Sequence, residues 1–341
     1  MISLAGRRLR FQMLNFKDNE PCALVSDIQH YTIHDGPGIR TAVFFTGCTM
    51  RCVWCSNPET IEPRQRLGVY PAKCLSRQKC GLCVEACPLG GAPIGFDENG
   101  SMDSLRMAEG CEQCLKCADT CPPRAIKLWG GKMTLPELMA AIEGDRDFYK
   151  RSGGGVTLTG GEALLQWEFA GMLLKACKAA SINTCVETAL HCPAEHMEAV
   201  YQHTDIVIAD IKHMDSESHR RFTGVGNERI LGNIKRTVEL GMPLVIRTPV
   251  VPGYNGDEEN IRETARFIKD ELGGKIVAYQ LLPYRALGTE KYASLMLPYP
   301  MDGYSPPERD ERDRILAHLA DMAAREYGIP ARVGADDRLF I

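Results

Sequence analysis

The chain has 341 residues, 44% hydrophobic and 25% charged, the balance of an ordinary globular protein rather than a disordered or fibrous one. Its formal net charge of −4 excludes the domain-wide basic surface that nucleic acid would require. No apolar run reaches the length of about eighteen residues needed to span a membrane.

At the start, Arg7, Arg8 and Arg10 would suit the charged end of an export signal. No apolar stretch follows, however, and Lys17-Asp18-Asn19-Glu20 is strongly polar. Residues 1–24 therefore read as a loosely packed extension, and the protein as cytoplasmic. The 15 cysteines agree, because 11 of them lie between Cys48 and Cys121 at ligand spacings. Metal ligation in a reducing compartment explains that pattern better than disulfides do. Cys22, Cys177, Cys185 and Cys192 are scattered and read as small buried apolar residues.

The first strand is expected at Ala42–Phe45, and Cys48, Cys52 and Cys55 follow it directly as C-x3-C-x2-C. A cubic four-iron, four-sulfur (4Fe–4S) cluster normally takes four thiolates, so a three-thiolate motif leaves one iron open for chemistry. The motif also falls at the carboxyl end of a strand, where parallel α/β folds place their active sites.

Residues 70–129 break the strand–helix rhythm. They are rich in Cys, Gly and Pro, without an extended apolar period, and read as a small inserted domain held by metal. Cys74, Cys80, Cys83 and Cys87 precede Pro88, while Cys111, Cys114, Cys117 and Cys121 precede Pro122. The second run matches the bacterial ferredoxin spacing, in which the fourth cysteine ligates the other cluster. Cys74, Cys80, Cys83 and Cys121 would then hold one 4Fe–4S cluster, and Cys111, Cys114, Cys117 and Cys87 a second. Paired C-x2-C units also suit structural zinc, but the Cys-Pro endings and crossed pattern favour iron–sulfur.

Further strands are expected at Val156–Thr159, Thr184–Thr188, Ile206–Ile211, Leu244–Thr248 and Ile276–Leu281, with little polar alternation, as for strands buried on both faces. A capping box at Thr134-Leu-Pro-Glu137 opens a helix to about Tyr149. Leu164–Ala180, Ile230–Leu240, Glu258–Leu272 and Glu308–Tyr327 complete the helices. The alternation implies a parallel sheet with right-handed crossovers, either doubly wound or a partial barrel.

The segment Ile33-His-Asp-Gly-Pro-Gly-Ile-Arg-Thr41, then Val43-Phe-Phe-Thr-Gly-Cys48 and Cys52-Val-Trp-Cys-Ser-Asn-Pro-Glu59, resembles the glycyl-radical-enzyme activating enzymes. These belong to the radical S-adenosylmethionine (SAM) superfamily. The resemblance runs from about residue 25 to the C-terminus. It implies a partial (β/α)6 radical SAM barrel from residues 25–69 and 130–341, with residues 70–129 as a ferredoxin-like insert carrying two 4Fe–4S clusters. It implies a SAM-binding cluster on Cys48, Cys52 and Cys55, with Trp54, Ser56 and Asn57 beside the cofactor. Gly160-Gly161-Glu162 resembles the motif for the methionine amino group; glycines admit backbone to the ligand, and a carboxylate suits an ammonium. Glu187 resembles the acidic partner of the ribose hydroxyls, and Lys212 the lysine for the methionine carboxylate. Asp210 would hold that lysine or a cation. Arg247 is a further contact or a barrel-stabilising arginine. Arg285 stands where the family segment Leu-Leu-Pro-Tyr-His-x-Leu-Gly has a histidine, a longer and permanently charged replacement.

The implied activity is that of an anaerobic oxidoreductase: reductive cleavage of SAM, then hydrogen abstraction from a backbone glycine of a partner glycyl radical enzyme, with a flavodoxin or ferredoxin as electron donor. Two other readings compete. One is a radical SAM enzyme that modifies a small molecule or peptide directly, and the other is a non-catalytic iron–sulfur electron carrier. The Ile33–Thr41 signature and the insert's position disfavour the first, and the three-cysteine site disfavours the second.

Overall fold

In a computed structural model, residues 15–105, 111 and 114–335 are described. The strands before the insert are β1 (Asn15–Lys17), β2 (Glu20–Thr32) and β3 (Arg40–Phe45). β4 (Arg66–Val69) leads into the insert, which holds β5 (Ile94–Phe96), β6 (Met102–Leu105) and β7 (Ile126–Trp129). After it come β8 (Gly131–Thr134), β9 (Gly155–Gly160), β10 (Asn183–Thr188), β11 (Ile206–Asp210), β12 (Leu244–Val250), β13 (Ala278–Pro283) and β14 (Ala331–Val333).

All six expected strands form, as β3 and β9 to β13, and every neighbouring pair is parallel. Their spatial order follows the chain without reversal. A doubly wound sheet reverses at a switch point; an unreversed order is the winding of a barrel. β14 extends the parallel edge beside β13, and β2 continues the other side, antiparallel to β3. The result is a partial (β/α)6 barrel with a mixed sheet. Residues 15–24 differ from the loosely packed extension expected: β1 and the start of β2 pair with each other, and β2 with β8. Residues 1–14 lie outside the described residues.

The helices are α1 (Leu82–Glu85), α2 (Lys116–Asp119), α3 (Leu135–Glu143), α4 (Arg146–Ser152), α5 (Trp167–Ala179) and α6 (Ala194–Tyr201). They continue as α7 (Ser216–Thr223), α8 (Glu228–Glu239), α9 (Glu258–Arg266), α10 (Thr289–Ser294) and α11 (Arg309–Tyr327). The helix expected from Thr134 to Tyr149 opens on its capping box but divides at Gly144-Asp145. Asp145 turns inward there, taking the Thr41 hydroxyl at 2.5 Å and His30 Nδ1 at 2.5 Å. None of the helices among the described residues is long and apolar enough to cross a membrane.

Side chains alternate across a strand, and the two faces of this sheet do different work. The outer face supplies Val43, Phe45, Leu158, Val186, Val207, Ile246 and Leu281 to a core shared with Leu138, Phe169, Leu173, Met197, Ile234 and Leu319 of the helices. The lumen face carries a small apolar plug of Cys185, Ile206, Ile208, Val245 and Ala278. The same face, further along the strands, carries Thr159, Glu187, Asp210, Arg247 and Gln280. At the base of the segment read as an insert, β4, which precedes it, pairs antiparallel with β7 from Arg66↔Trp129 to Val69↔Ile126. A separate core of Leu67, Val69, Ile94, Met102, Leu105 and Ile126 packs there, with Cys74, Cys83, Cys117 and Cys121 against it.

Candidate active site

The carboxyl ends of β3 and β9 meet at a glycine junction. Gly161 N–H donates to the Phe45 carbonyl at 2.9 Å, and Glu162 N–H to the Gly47 carbonyl at 2.7 Å. Gly47 N–H in turn donates to the Thr60 carbonyl at 2.6 Å. A Cβ on Gly161 would sit 2.7 Å from the Thr60 oxygen and closer still to that of Gly47. Only glycine fits such an approach. Gly161→Ala is therefore expected to push the cysteine loop off the barrel, at a cost of about 1–3 kcal/mol of stability, the usual scale for overpacking. Chemical denaturation reads this out, and wild-type stability would count against the junction's role.

The same loop is fastened on its far side to the end of α7. Arg51 N–H donates to the Thr223 carbonyl at 2.7 Å and Val53 N–H to the Phe222 carbonyl at 2.9 Å. So held, Cys48, Cys52 and Cys55 line one cavity of about 330 Å³. Trp54, Ser56, Asn57, Gly160, Gly161, Glu187, Asp210, Lys212 and Arg285 line it too. Residues more than 230 positions apart converge because each sits at or just past the carboxyl end of a parallel strand. Burial pushes the Cys48 and Cys52 thiols up to about 12 and that of Cys55 to about 11. Any metal bound there must displace their protons.

Two of the expected site residues are engaged elsewhere. The Glu162 carboxylate is buried and accepts from the Leu164 and Ala189 amides at 3.1 and 2.9 Å and from the Thr188 hydroxyl at 2.6 Å. The cavity is lined by Gly160 and Gly161 of this motif, while the Glu162 side chain knits β9 to the turn after β10. Arg247, also buried, donates to Glu187 at 2.6 Å, to Gln280 at 2.8 Å and to the His34 carbonyl at 2.6 Å. It spans the lumen rather than the cavity wall.

Glu187 is raised above the usual carboxylate range by burial, with Arg247 opposing; its second oxygen accepts from Thr159 at 2.8 Å. Lys212 donates to Asp210 at 2.7 Å. Burial lowers this lysine, but Asp210 and Cys52 together outweigh it and hold it above its ordinary value. The cavity thus presents a firmly charged ammonium beside three thiols. Trp54 is buried between Phe222 and Tyr254, at ring distances of 6.0 and 6.2 Å. The cavity also takes in Met50, Thr159, Pro249, Tyr284 and Leu287, which the motifs alone do not single out. Tyr284 and Leu287 belong to the segment already noted for Arg285.

A second, small cavity of about 20 Å³ lies in the insert segment, and its lining includes Cys74, Cys80, Cys83 and Cys121. Cys117 is raised to about 11 by burial, with contributions from Cys111 and Cys114 nearby. Cys121 of the second run thereby joins Cys74, Cys80 and Cys83 of the first, while Cys111, Cys114 and Cys117 lie near one another. Among the described residues no three His, Cys, Asp or Glu side chains are grouped so as to hold a single metal ion.

Comparison with known proteins accords with this geometry. Residues 119–268 match the radical SAM superfamily, and residues 34–78 match a 4Fe–4S single cluster domain. The chain is 46% identical over 321 residues to the (2S)-3-sulfopropanediol dehydratase activating enzyme of Klebsiella oxytoca, covering 94% of this chain and 100% of that one. It is 42% identical over 287 residues to the isethionate sulfite-lyase activating enzyme of Desulfovibrio desulfuricans, covering 83% and 90%. Among solved structures, a domain of a pyruvate-formate lyase-activating enzyme from Bacteroides vulgatus is 32% identical, with a TM-score of 0.42 over 53% of this chain and 99% of that one. With full-length similarity at this level, the chain belongs to the activating enzymes of glycyl radical enzymes, within the radical SAM superfamily.

Proposed function

We propose that Cys48, Cys52 and Cys55 hold the SAM-binding 4Fe–4S cluster and that SAM occupies the 330 Å³ cavity they line. The observation that carries this is the convergence of those three thiols with Lys212, Asp210 and Glu187 on one cavity wall. When bound, such a cluster supplies the electron that splits SAM into methionine and a 5′-deoxyadenosyl radical, which takes hydrogen from a backbone glycine of the partner. The chain's own residues then bind and orient. Lys212, kept charged by Asp210, pairs with the methionine carboxylate, and the Gly160-Gly161 backbone receives the amino group. Glu187, steadied by Thr159 and Arg247, accepts from the ribose hydroxyls. Trp54, Ser56 and Asn57 form the wall on either side of the last cysteine, and Arg285 stands beside them as a cationic donor. Buried thiols and the apolar Met50, Leu282 and Pro283 keep water from the reacting groups.

We also assign residues 70–129 as a ferredoxin-like insert with two 4Fe–4S clusters, one on Cys74, Cys80, Cys83 and Cys121 and one on Cys87, Cys111, Cys114 and Cys117. Two features support it. The first four cysteines share a cavity, and α1 and α2 occupy equivalent places in the two runs, each entered through a left-handed residue, Gly81 and Leu115. These clusters relay electrons from a flavodoxin or ferredoxin to the open site, in the cytoplasm. The partner is a glycyl radical enzyme of the diol-dehydratase kind acting on a sulfonate, by likeness to the Klebsiella relative.

The test is anaerobic incubation with a reductant, SAM and a sulfopropanediol dehydratase. A glycyl radical resonance signal on the dehydratase, matched by one deoxyadenosine per radical formed, is expected, with none on a pyruvate formate-lyase. Deoxyadenosine without a glycyl signal on any partner would favour direct modification of a small molecule or peptide.

A further inference from the structure

One lysine outside every motif joins the cavity to the insert. Lys291, on α10, donates to Asn57 Oδ1 at 2.8 Å and to Glu59 Oε1 at 2.6 Å. Glu59 is buried, and its other oxygen, Oε2, has no hydrogen-bond partner. The lysine is therefore that carboxylate's main compensation. The ammonium also lies 5.6 Å from the ring centroid of Trp129, the last residue of β7. Lys127 covers the same ring at 3.4 Å. A Cβ on Gly68 of β4 would sit 2.8 Å from Trp129 Nε1 and 3.1 Å from Ser294 Oγ, so α10, β4 and the indole are packed together without slack.

An ammonium has only donors. By engaging Asn57 Oδ1 it fixes which way the carboxamide faces, with the oxygen toward Lys291 and the Nδ2 hydrogens on the opposite edge. Asn57 lines the SAM cavity, so the lysine decides that this wall offers donors and not an acceptor.

We propose that Lys291 is a positioning residue for SAM, acting through Asn57, and that Trp129 links its placement to the base of the insert. The inference rests on the reading of the cavity as the SAM site. An oriented amide favours a ligand with acceptor atoms at that wall, such as a carboxylate. A freely flipping one loses half its productive population and the ordering that precedes binding.

The experiment measures SAM affinity by equilibrium dialysis of the reconstituted protein, alongside iron content and thermal midpoint. Lys291→Met is expected to weaken SAM binding about tenfold, the scale of one charge-assisted hydrogen bond, while Lys291→Arg stays near wild type. Lys291→Met also strands the buried Glu59, so the decisive variant is Glu59→Gln/Lys291→Met. There the uncompensated carboxylate is gone, and the thermal midpoint should recover while SAM affinity stays about tenfold down. In an Asn57→Leu background the Lys291→Met change should have no further effect on affinity. Recovery of affinity together with stability, or full additivity with Asn57→Leu, would overturn the proposal. Failure of the wild type itself to bind SAM would instead overturn the assignment of the cavity.

Discussion

Replacing Cys52 with alanine is expected to abolish SAM cleavage, with no deoxyadenosine above background. Cys52 is half-buried beside Cys48, Cys55 and the Lys212–Asp210 pair. An alanine there leaves two thiols where a cluster held by all three cysteines would need three. Iron content should fall by one cluster's share, since the eight cysteines of the insert are untouched. Cys114→Ala makes the contrasting case. That residue is exposed in the insert, and its loss should impair electron supply while leaving SAM binding and the open cluster in place. Chromatography of deoxyadenosine with iron analysis separates the two variants. Unchanged turnover in Cys52→Ala would refute the active-site assignment and return the non-catalytic electron carrier to consideration.

The second large effect is on stability. Arg247→Met removes three buried donors at once, from Glu187, Gln280 and the His34 carbonyl. Glu187 keeps its place without a counter-charge, and losing one member of a buried ion pair costs about 3–5 kcal/mol. That is a large part of a typical folding free energy of about 5–15 kcal/mol. Chemical denaturation should show it, and a loss below about 1 kcal/mol would mean that the lumen rehydrates instead. The pH dependence has a definite sign. Burial already raises Glu187 in the folded state, and the variant deletes the charge that opposes this. A carboxyl whose folded pKa lies above its unfolded value stabilises the fold below the unfolded pKa, and that stability is lost as pH rises through the folded one. Relative to wild type, Arg247→Met should therefore regain stability as the solution is acidified from neutrality toward the ordinary carboxylate range.

Much of this architecture is written locally. Val- and Ile-rich runs such as Ile206–Ile211 and Leu244–Thr248 form strands because nothing polar interrupts their outer faces. Thr134 and Glu137 open α3 through contacts three residues apart. The break at Gly144-Asp145 was not legible, because what draws Asp145 inward is Thr41 and His30, more than a hundred positions earlier. β2 escaped notice for a similar reason: Ser26, Asp27, Gln29 and His30 blur its alternation, and its pairing with β3 and β8 makes it a strand. At the site, spacing pointed to the cysteines and the family resemblance to Glu187 and Lys212, and all of them line one cavity. Glu162 stands in a recognisable motif, yet where its carboxylate points depends on Thr188 and Ala189. Lys291 carries no sequence signal at all, since its meaning comes from Asn57 and Glu59, more than 230 residues away.

β4 and β7 run side by side, so the polypeptide leaves the barrel and returns to it at almost one point. From the barrel's side, everything between Val69 and Ile126 is therefore equivalent to a hairpin turn, and lengthening or shortening it changes loop-closure entropy only slowly. The insert's separate core means that few of its apolar contacts are borrowed from the barrel. Such a connection is a graft point: segments of different size could be exchanged there over evolution, or by design, provided the β4–β7 pair and the indole of Trp129 are kept.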